Sequence, residues 1–287
     1  YMLRHLFVGA EGTLGVVTGA ALRLHPRMEA AAHAWVSVPS PAAAVSLLSR
    51  YRDSADPYIQ AFELLSASQV ALVMKHVGRA RNPFPAVPDW SVMIELGSAD
   101  ATARLDGIME AVLAGALEEG LALDAVVAAS QAQADEIWAV RHSVSEANKK
   151  EGIGIVHDVA VRTSDVAAFI AAADRVAAAR FPEAVPEVVC HLGDGNVHYI
   201  LMFPRAFWDA LPDPDGFALD VEGAIHDAAA GFRGTFSAEH GVGRKLTSEL
   251  ARLADPLRYE LMGRVKRMLD PHDLMNPGVL LAEGGPS

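Results

Sequence analysis

Short apolar runs alternate along this chain with longer segments of helical spacing, and the two periods interleave from about residue 30 to residue 270. Residues 34–38 read as a strand. Pro39 closes it, and Ser40 can cap a helix with Pro41 in its first position and 42–51 as its body. The same grammar predicts strands over 59–64, 90–96, 124–128 and 156–161, with helices over 67–77, 101–119, 131–149 and 166–179. Two further strands, 188–192 and 197–202, flank Gly193-Asp194-Gly195-Asn196, and a helix is expected near 220–230. The last helix is signalled by Asp255 as cap, Pro256 in the first turn and an apolar stripe of Leu257, Leu261, Val265 and Met268. Residues 14–24, with Gly15, Thr18 and Gly19 among apolar positions, predict a strand pair or a turn and strand ending at Pro26. The prolines at 83, 85 and 88 make 79–89 a surface crossing or a hinge.

Interleaved strands and helices favour a sheet with helices packed on it, α/β or α+β, over an all-helical or all-strand domain. No internal repeat is visible. Tyr1-Met2-Leu3 leads straight into Leu6-Phe7-Val8-Gly9 with neither a leader peptide nor a helix cap, so the sequence is expected to enter an element already under way.

Composition narrows the classes of function. The 287 residues are 51% hydrophobic and 21% charged, which excludes disordered and fibrous chains. Acidic residues outnumber Lys plus Arg by 36 to 24, which argues against an electrostatic hold on nucleic acid. One local Arg can still bind a small anion. No apolar stretch is long enough to span a membrane, since Pro39 and Pro41 break the alanine-rich segment over 30–48. Cys190 is the single cysteine, so a reducing compartment is expected.

The sharpest chemical feature is His191-Leu192-Gly193-Asp194-Gly195-Asn196-Val197-His198. If the four central residues form a hairpin turn, Leu192 opposes Val197 and His191 opposes His198, and both imidazoles share a face. Two borderline nitrogen ligands suit zinc, manganese or iron, and Glu239, in Ala238-Glu239-His240-Gly241-Val242-Gly243, is the candidate for a harder third ligand. Histidines hydrogen-bonded within strands, with Glu239 a surface acid, remain the alternative.

Gly9-Ala10-Glu11-Gly12-Thr13-Leu14-Gly15 can present backbone N–H groups to a cofactor or form an ordinary turn; it lacks the lysine of a Walker loop and the spacing of a dinucleotide fingerprint. Arg141, three residues after Trp138 on a predicted helix, offers a guanidinium fork for a carboxylate or a surface salt bridge. His157-Asp158 is a polar pair within a strand, and Asn276 ends the last helix region in a compact turn with Pro277 and Gly278.

Taken together, these segments resemble the flavin-linked D-2-hydroxyacid dehydrogenases, the group of D-lactate dehydrogenase, D-2-hydroxyglutarate dehydrogenase and the glycolate oxidase D-subunit, of the vanillyl-alcohol-oxidase type. The resemblance rests on Gly-Glu-Gly-Thr-Leu-Gly near the start, Ala128 through Trp138 and Arg141 to Glu146-Ala147, His191 to His198, Glu239-His240-Gly241 and Asn276-Pro277-Gly278. It covers essentially the whole chain. It implies an α+β fold, a ferredoxin-like antiparallel sheet with helices on one face, over residues 28–282. Residues 1–27 would be the tail of an FAD-binding domain whose body lies upstream.

The implied cofactors are FAD and a divalent metal, usually zinc, held by His191, His198 and Glu239. Arg141 would clamp the substrate carboxylate, Ser145 would supply a hydroxyl contact, and His240 would stand between substrate and flavin. Gly12, Thr13, Leu14 and Asn276 would line the flavin. Two positions depart from the pattern: Val156 stands where many relatives have a substrate-binding lysine, and Ile200 where an asparagine usually follows the second metal histidine. Both departures weaken polar grip, implying a substrate smaller or less charged than 2-hydroxyglutarate.

The implied reaction is oxidation of a D-2-hydroxy acid to the 2-oxo acid, with metal-assisted deprotonation of the hydroxyl, an imidazole base and hydride transfer to flavin. An oxidase or glycolate-oxidase-like subunit, and a metal-binding scaffold without catalysis, stand as alternatives. The expected partners are the small hydroxy acid and an electron acceptor that the sequence does not identify, without nucleic acid. A cytoplasmic location is expected, with peripheral membrane association and a homodimer left open.

Overall fold

The computed structural model describes residues 1–282. Their contacts divide them into two compact units, Pro26–Thr235 and a smaller one of Tyr1–His25 with Phe236 onward.

The larger unit is built on a seven-stranded sheet: β1 (Ala30–Val38), β2 (Ile59–Ser66), β3 (Trp90–Ser98), β4 (Asp124–Val127), β5 (Ile153–Ala160), β6 (Val185–His191) and β7 (Asn196–Phe203). The spatial order is β4-β1-β3-β2-β6-β7-β5, every ladder is antiparallel, and β2 is the central strand. The fold class is therefore the expected α+β, an antiparallel sheet surrounded by helices.

The expectation of helices on one face alone is corrected, because both faces are covered. Along β2, Phe62 and Leu64 enter one apolar cluster and Leu65 the other; along β6, Val188 and Cys190 enter the first and Val189 the second. Side chains of a strand alternate between faces, so strands apolar at successive positions need cover on both sides. Helices α1 (Pro41–Ala55), α3 (Leu105–Glu118), α6 (Val166–Arg180) and α8 (Pro214–Gly231) bury Leu47, Met109, Phe169 and Ile225 against the first face. The second face is covered by α2 (Ala67–His76), α4 (Gln131–His142) and α5 (Val144–Glu151), through Val70, Val73, Ile137, Val140 and Ala147. A short α7 (Arg205–Trp208) precedes α8.

Local signals fixed the helix starts well. Ser40 Oγ accepts from the Ala43 N–H at 3.1 Å with Pro41 following, and Asp255 Oδ1 accepts from the Arg258 N–H at 2.9 Å. Three expectations fail. The helix over 131–149 is broken at Ser143 into α4 and α5, while the stripe Ile137, Val140, Val144, Ala147 stays buried through the break. Residues 14–24 form no strand, and Val16, Val17, Leu22 and Leu24 are exposed: a strand needs a ladder partner, and none pairs with them among the described residues.

The smaller unit carries α9 (Thr247–Leu253) and α10 (Pro256–Leu269). The third failure is on α10, where Leu257, Leu261 and Met268 are exposed and only Gly263 is buried, so its apolar stripe enters no core of the described residues. No helix among the described residues is long and apolar enough to cross a membrane.

Three stability outcomes follow from the larger unit. Gly195 has φ of +74° and a Cβ there would lie 2.0 Å from the Val161 carbonyl oxygen, so Gly195→Ala should cost about 2–4 kcal/mol in urea unfolding. Gly223→Ala in α8, where a Cβ meets nothing, should be neutral or gain up to about 1 kcal/mol. Glu187, buried on β6, has its carboxyl pKa pushed up to about 7 by burial, partly offset by a hydrogen bond with Ser68. The folded state therefore holds a proton that the unfolded chain releases near pH 4.5, and stability should fall by about 3 kcal/mol between there and pH 7. Glu187→Gln should flatten that fall in chemical unfolding measured across the pH range.

Candidate metal and substrate site

The hairpin carrying the two histidines has a different register from the expected one. His191 pairs with Asn196, Cys190 with Val197 and Val189 with His198, so the strands are offset by two residues from an arrangement with His191 opposite His198. An offset of one residue would have turned one histidine to the other face; an offset of two preserves the shared face and makes the pair diagonal neighbours. Their rings lie 5.5 Å apart between centroids and nearly perpendicular at 81°. The turn is held on several sides. Asp194 and Gly195 N–H groups donate to the His191 carbonyl, Leu192 N–H to Phe62 O, Val161 N–H to Gly195 O, and Arg52 to Gly193 O.

Glu63 on β2 is the register partner of His191 across the β2–β6 ladder. Its carboxylate accepts from His191 Nδ1 at 2.7 Å through one oxygen and from Arg141 Nε at 2.7 Å through the other. Arg141 also places Nη2 3.2 Å from His191 Nε2. Arg141 reaches this point from the last turn of α4, where a cation is favoured by the helix dipole. Burial pushes the Glu63 carboxyl pKa up, but the hydrogen bond from His191 and the charge and hydrogen bond of Arg141 more than reverse it, leaving it lowered. On β5, Asp158 is the register partner of His198, with Oδ1 3.9 Å from His198 Nδ1.

The donor set suits a divalent ion. Nδ1 of His191 faces an ionised carboxylate, which makes it the N–H tautomer and leaves Nε2 as the basic nitrogen. The buried carboxylate of Asp158 lies beside His198, while that of Glu63, beside His191, is balanced by Arg141.

The other expected residues fall as follows. Ser145 is exposed on the first turn of α5, one helical turn beyond Arg141, and makes no side-chain hydrogen bond among the described residues. Val156 and Ile200 are direct cross-strand partners, two pairs along from Asp158 and His198 and so on the same face. Val156 is 48% exposed and Ile200 buried, so the two departures form one apolar patch next to His198.

In the smaller unit, His240 and Glu239 are both exposed, with Nε2 and Oε1 3.8 Å apart. The loop that follows them is held by Glu11, whose carboxylate accepts from the N–H groups of Val242 and Gly243, both at 2.7 Å. Gly241 has φ of +80°, and a Cβ there would lie 2.8 Å from Glu11 Oε1. Asn276 donates to Glu11 O at 2.7 Å and lies beside Gly12. Thr13 is buried with its hydroxyl on Ala10 O at 2.7 Å, so its side chain closes the turn. Leu14 lines a cavity of about 500 Å³ with Leu6, Val8, Leu257, Leu261 and Val265. The structure thus gathers Gly12, Thr13 and Asn276 around one loop, and sets Leu14 in an apolar groove.

Sequence reasoning passed over Glu63 and Glu11. The first is a lone acid in an apolar strand, and the second lay unremarked within a glycine-rich stretch.

The chain is similar to several known proteins. The chain is 28% identical to the mitochondrial D-2-hydroxyglutarate dehydrogenase of Arabidopsis thaliana, over 96% of this chain and 48% of that protein. It is 31% identical to the D-2-hydroxyglutarate dehydrogenase of Xanthomonas citri pv. viticola, over 98% of this chain and 57% of that one. The chain thus spans about half the length of the curated relatives it matches. Among solved structures it shares the fold of p-cresol methylhydroxylase with substrate bound, with TM-score 0.63 at 12% identity over 92% of this chain and 55% of that one. Alkyldihydroxyacetonephosphate synthase follows with TM-score 0.60 at 15% identity over 96% of this chain and 49% of the other. Residues 27–280 match the family described as FAD linked oxidases, C-terminal domain, and the chain belongs to that family.

Proposed function

We propose that this chain is the substrate-binding part of an FAD-dependent dehydrogenase that oxidises a D-2-hydroxy acid to the 2-oxo acid. The observation that carries the reading is the pair His191 and His198 on one sheet face with Arg141 held beside them by Glu63. The relatives named as D-2-hydroxyglutarate dehydrogenases support the substrate class. In this reading residues 1–27 belong with the FAD-binding domain and 28–282 form the substrate domain. The single cysteine, Cys190, is buried and cannot form a disulfide within this chain, in keeping with a reducing compartment such as the cytoplasm.

Arg141 binds the substrate carboxylate. A guanidinium has five N–H donors, and among the described residues only Nε and one N–H of Nη2 are engaged, by Glu63 and His191. His191 and His198, with Glu239 as third ligand, hold a divalent ion, for which zinc is the natural candidate with such ligands. Such an ion supplies Lewis acidity that lowers the pKa of the 2-hydroxyl. His240 accepts the hydroxyl proton, imidazole being the side chain best matched to that task near neutral pH. FAD, lined by Gly12, Thr13, Leu14 and Asn276, supplies the two-electron acceptance of the C2 hydride. Ser145 is positioned on the helix turn after Arg141 for a contact with the bound acid. The Val156 and Ile200 pair faces the substrate's side chain, which favours one that is small or apolar.

His240→Gln in the flavin-loaded enzyme should lower kcat by about 10²- to 10⁴-fold with flavin and metal content unchanged, as measured by steady-state dye reduction and metal analysis. Wild-type activity in that variant would remove His240 as the base. The side-chain reading predicts a higher kcat/KM for D-lactate than for D-2-hydroxyglutarate. Val156→Lys should move the ratio toward the dicarboxylate by about tenfold or more, equivalent to one exposed charge contact of about 1.4 kcal/mol.

A further inference from the structure

We propose that Glu63 is the positioning residue of this site: one carboxylate fixes the ring of His191 with Nε2 toward the ion and anchors the guanidinium of Arg141 beside it. The inference rests on the metal reading above and adds to it a residue that couples metal binding to substrate binding.

Several observations converge on it. Glu63 and His191 are register partners on adjacent strands, so their 2.7 Å contact is set by the sheet ladder and not by a mobile loop. The two carboxylate oxygens are divided, Oε1 to His191 and Oε2 to Arg141, so neither partner can shift without the other feeling it. Nδ1 of His191 is engaged by Glu63, which selects the tautomer whose Nε2 can bind a metal and raises the basicity of that nitrogen. Arg141 Nη2 lies 3.2 Å from the same Nε2. A metal and Arg141 therefore draw on one lone pair. An ion taken at Nε2 displaces Nη2, while the bond from Nε to Glu63 keeps the stem in place and turns the guanidinium terminus to a substrate carboxylate. Glu63 is thus the group that lets the metal and the arginine serve one ligand at once.

The test is titration of the full chain with Co²⁺ against a competing chelator, reading affinity and the visible ligand-field spectrum. Glu63→Gln should bind Co²⁺ about 10- to 100-fold more weakly with an altered spectrum. Arg141→Met should bind as tightly as the wild type or more so, because a competing cation is gone. Glu63→Gln leaves the half-buried Arg141 without its counter-charge and can fail to fold, so the deciding protein is Glu63→Gln/Arg141→Met, in which both charges are absent. If the double variant still binds Co²⁺ at least tenfold more weakly than Arg141→Met alone, Glu63 acts on His191 directly. If the two bind alike, Glu63 merely neutralises Arg141 and the proposal is overturned. Glu187→Gln, another buried acid on the same sheet face, should leave Co²⁺ affinity unchanged; an equal loss there would also overturn it. A wild-type chain that binds no Co²⁺ removes the metal reading and this inference together, whereas wild-type binding that Glu63→Gln leaves intact removes this inference alone.

Discussion

A carboxylate on the central strand of a sheet has to be answered by charge or hydrogen bonds, and the answer given to Glu63 organises this face of the protein. Leaving a buried carboxylate ionised without partners costs far more than a domain's net stability, and removing one partner from an established buried pair typically costs about 3–5 kcal/mol. Glu63 is met from two directions, by His191 across the ladder and by Arg141 from the end of α4. The result ties β2, β6 and α4 into one unit at the point where the two halves of the sheet, β4-β1-β3-β2 and β6-β7-β5, join. The apolar cluster beneath α2, α4 and α5 stops where this polar group begins, so Glu63, His191 and Arg141 sit at the border of a core.

The same logic explains what could be read from the sequence. Local devices were legible because their partners are near in the chain: Ser40 bonds to a residue three positions on, and so does Asp255. Strand existence was legible from β-branched and apolar runs, and parity placed His191 and His198 on one face even though the register was two residues from the expected one. Cover on both faces was implicit in consecutive apolar residues such as Leu64 and Leu65, which a one-faced sheet would leave half exposed. The break at Ser143 was hidden, since the helical period of buried residues runs through it undisturbed.

What the sequence did not reveal is set by distance along the chain. Glu63 stands 128 residues from His191 and 78 from Arg141, and no local pattern distinguishes it from an acid at a strand edge. A clue was present in its burial context, one ionisable residue amid Ala61, Phe62, Leu64 and Leu65, which is an arrangement that only a buried partner can support. Likewise Val156 and Ile200 were separate departures in the sequence and become one surface only because β5 and β7 pair in that register.

The smaller unit solves the same problem by other means. Glu11, at φ of +50°, turns its carboxylate onto two peptide N–H groups, Val242 and Gly243, and its own carbonyl is taken by Asn276. Peptide dipoles stabilise a carboxylate without bringing a second formal charge to it, and the loop after Glu239-His240 is shaped by these N–H bonds. The close approach of Gly241 to that carboxylate explains why a glycine follows the histidine. At Glu63 the partners are side chains instead, the imidazole of His191 and the guanidinium of Arg141. A carboxylate answered by peptides shapes a loop, whereas one answered by an imidazole and a guanidinium sets the tautomer of the first and the direction of the second.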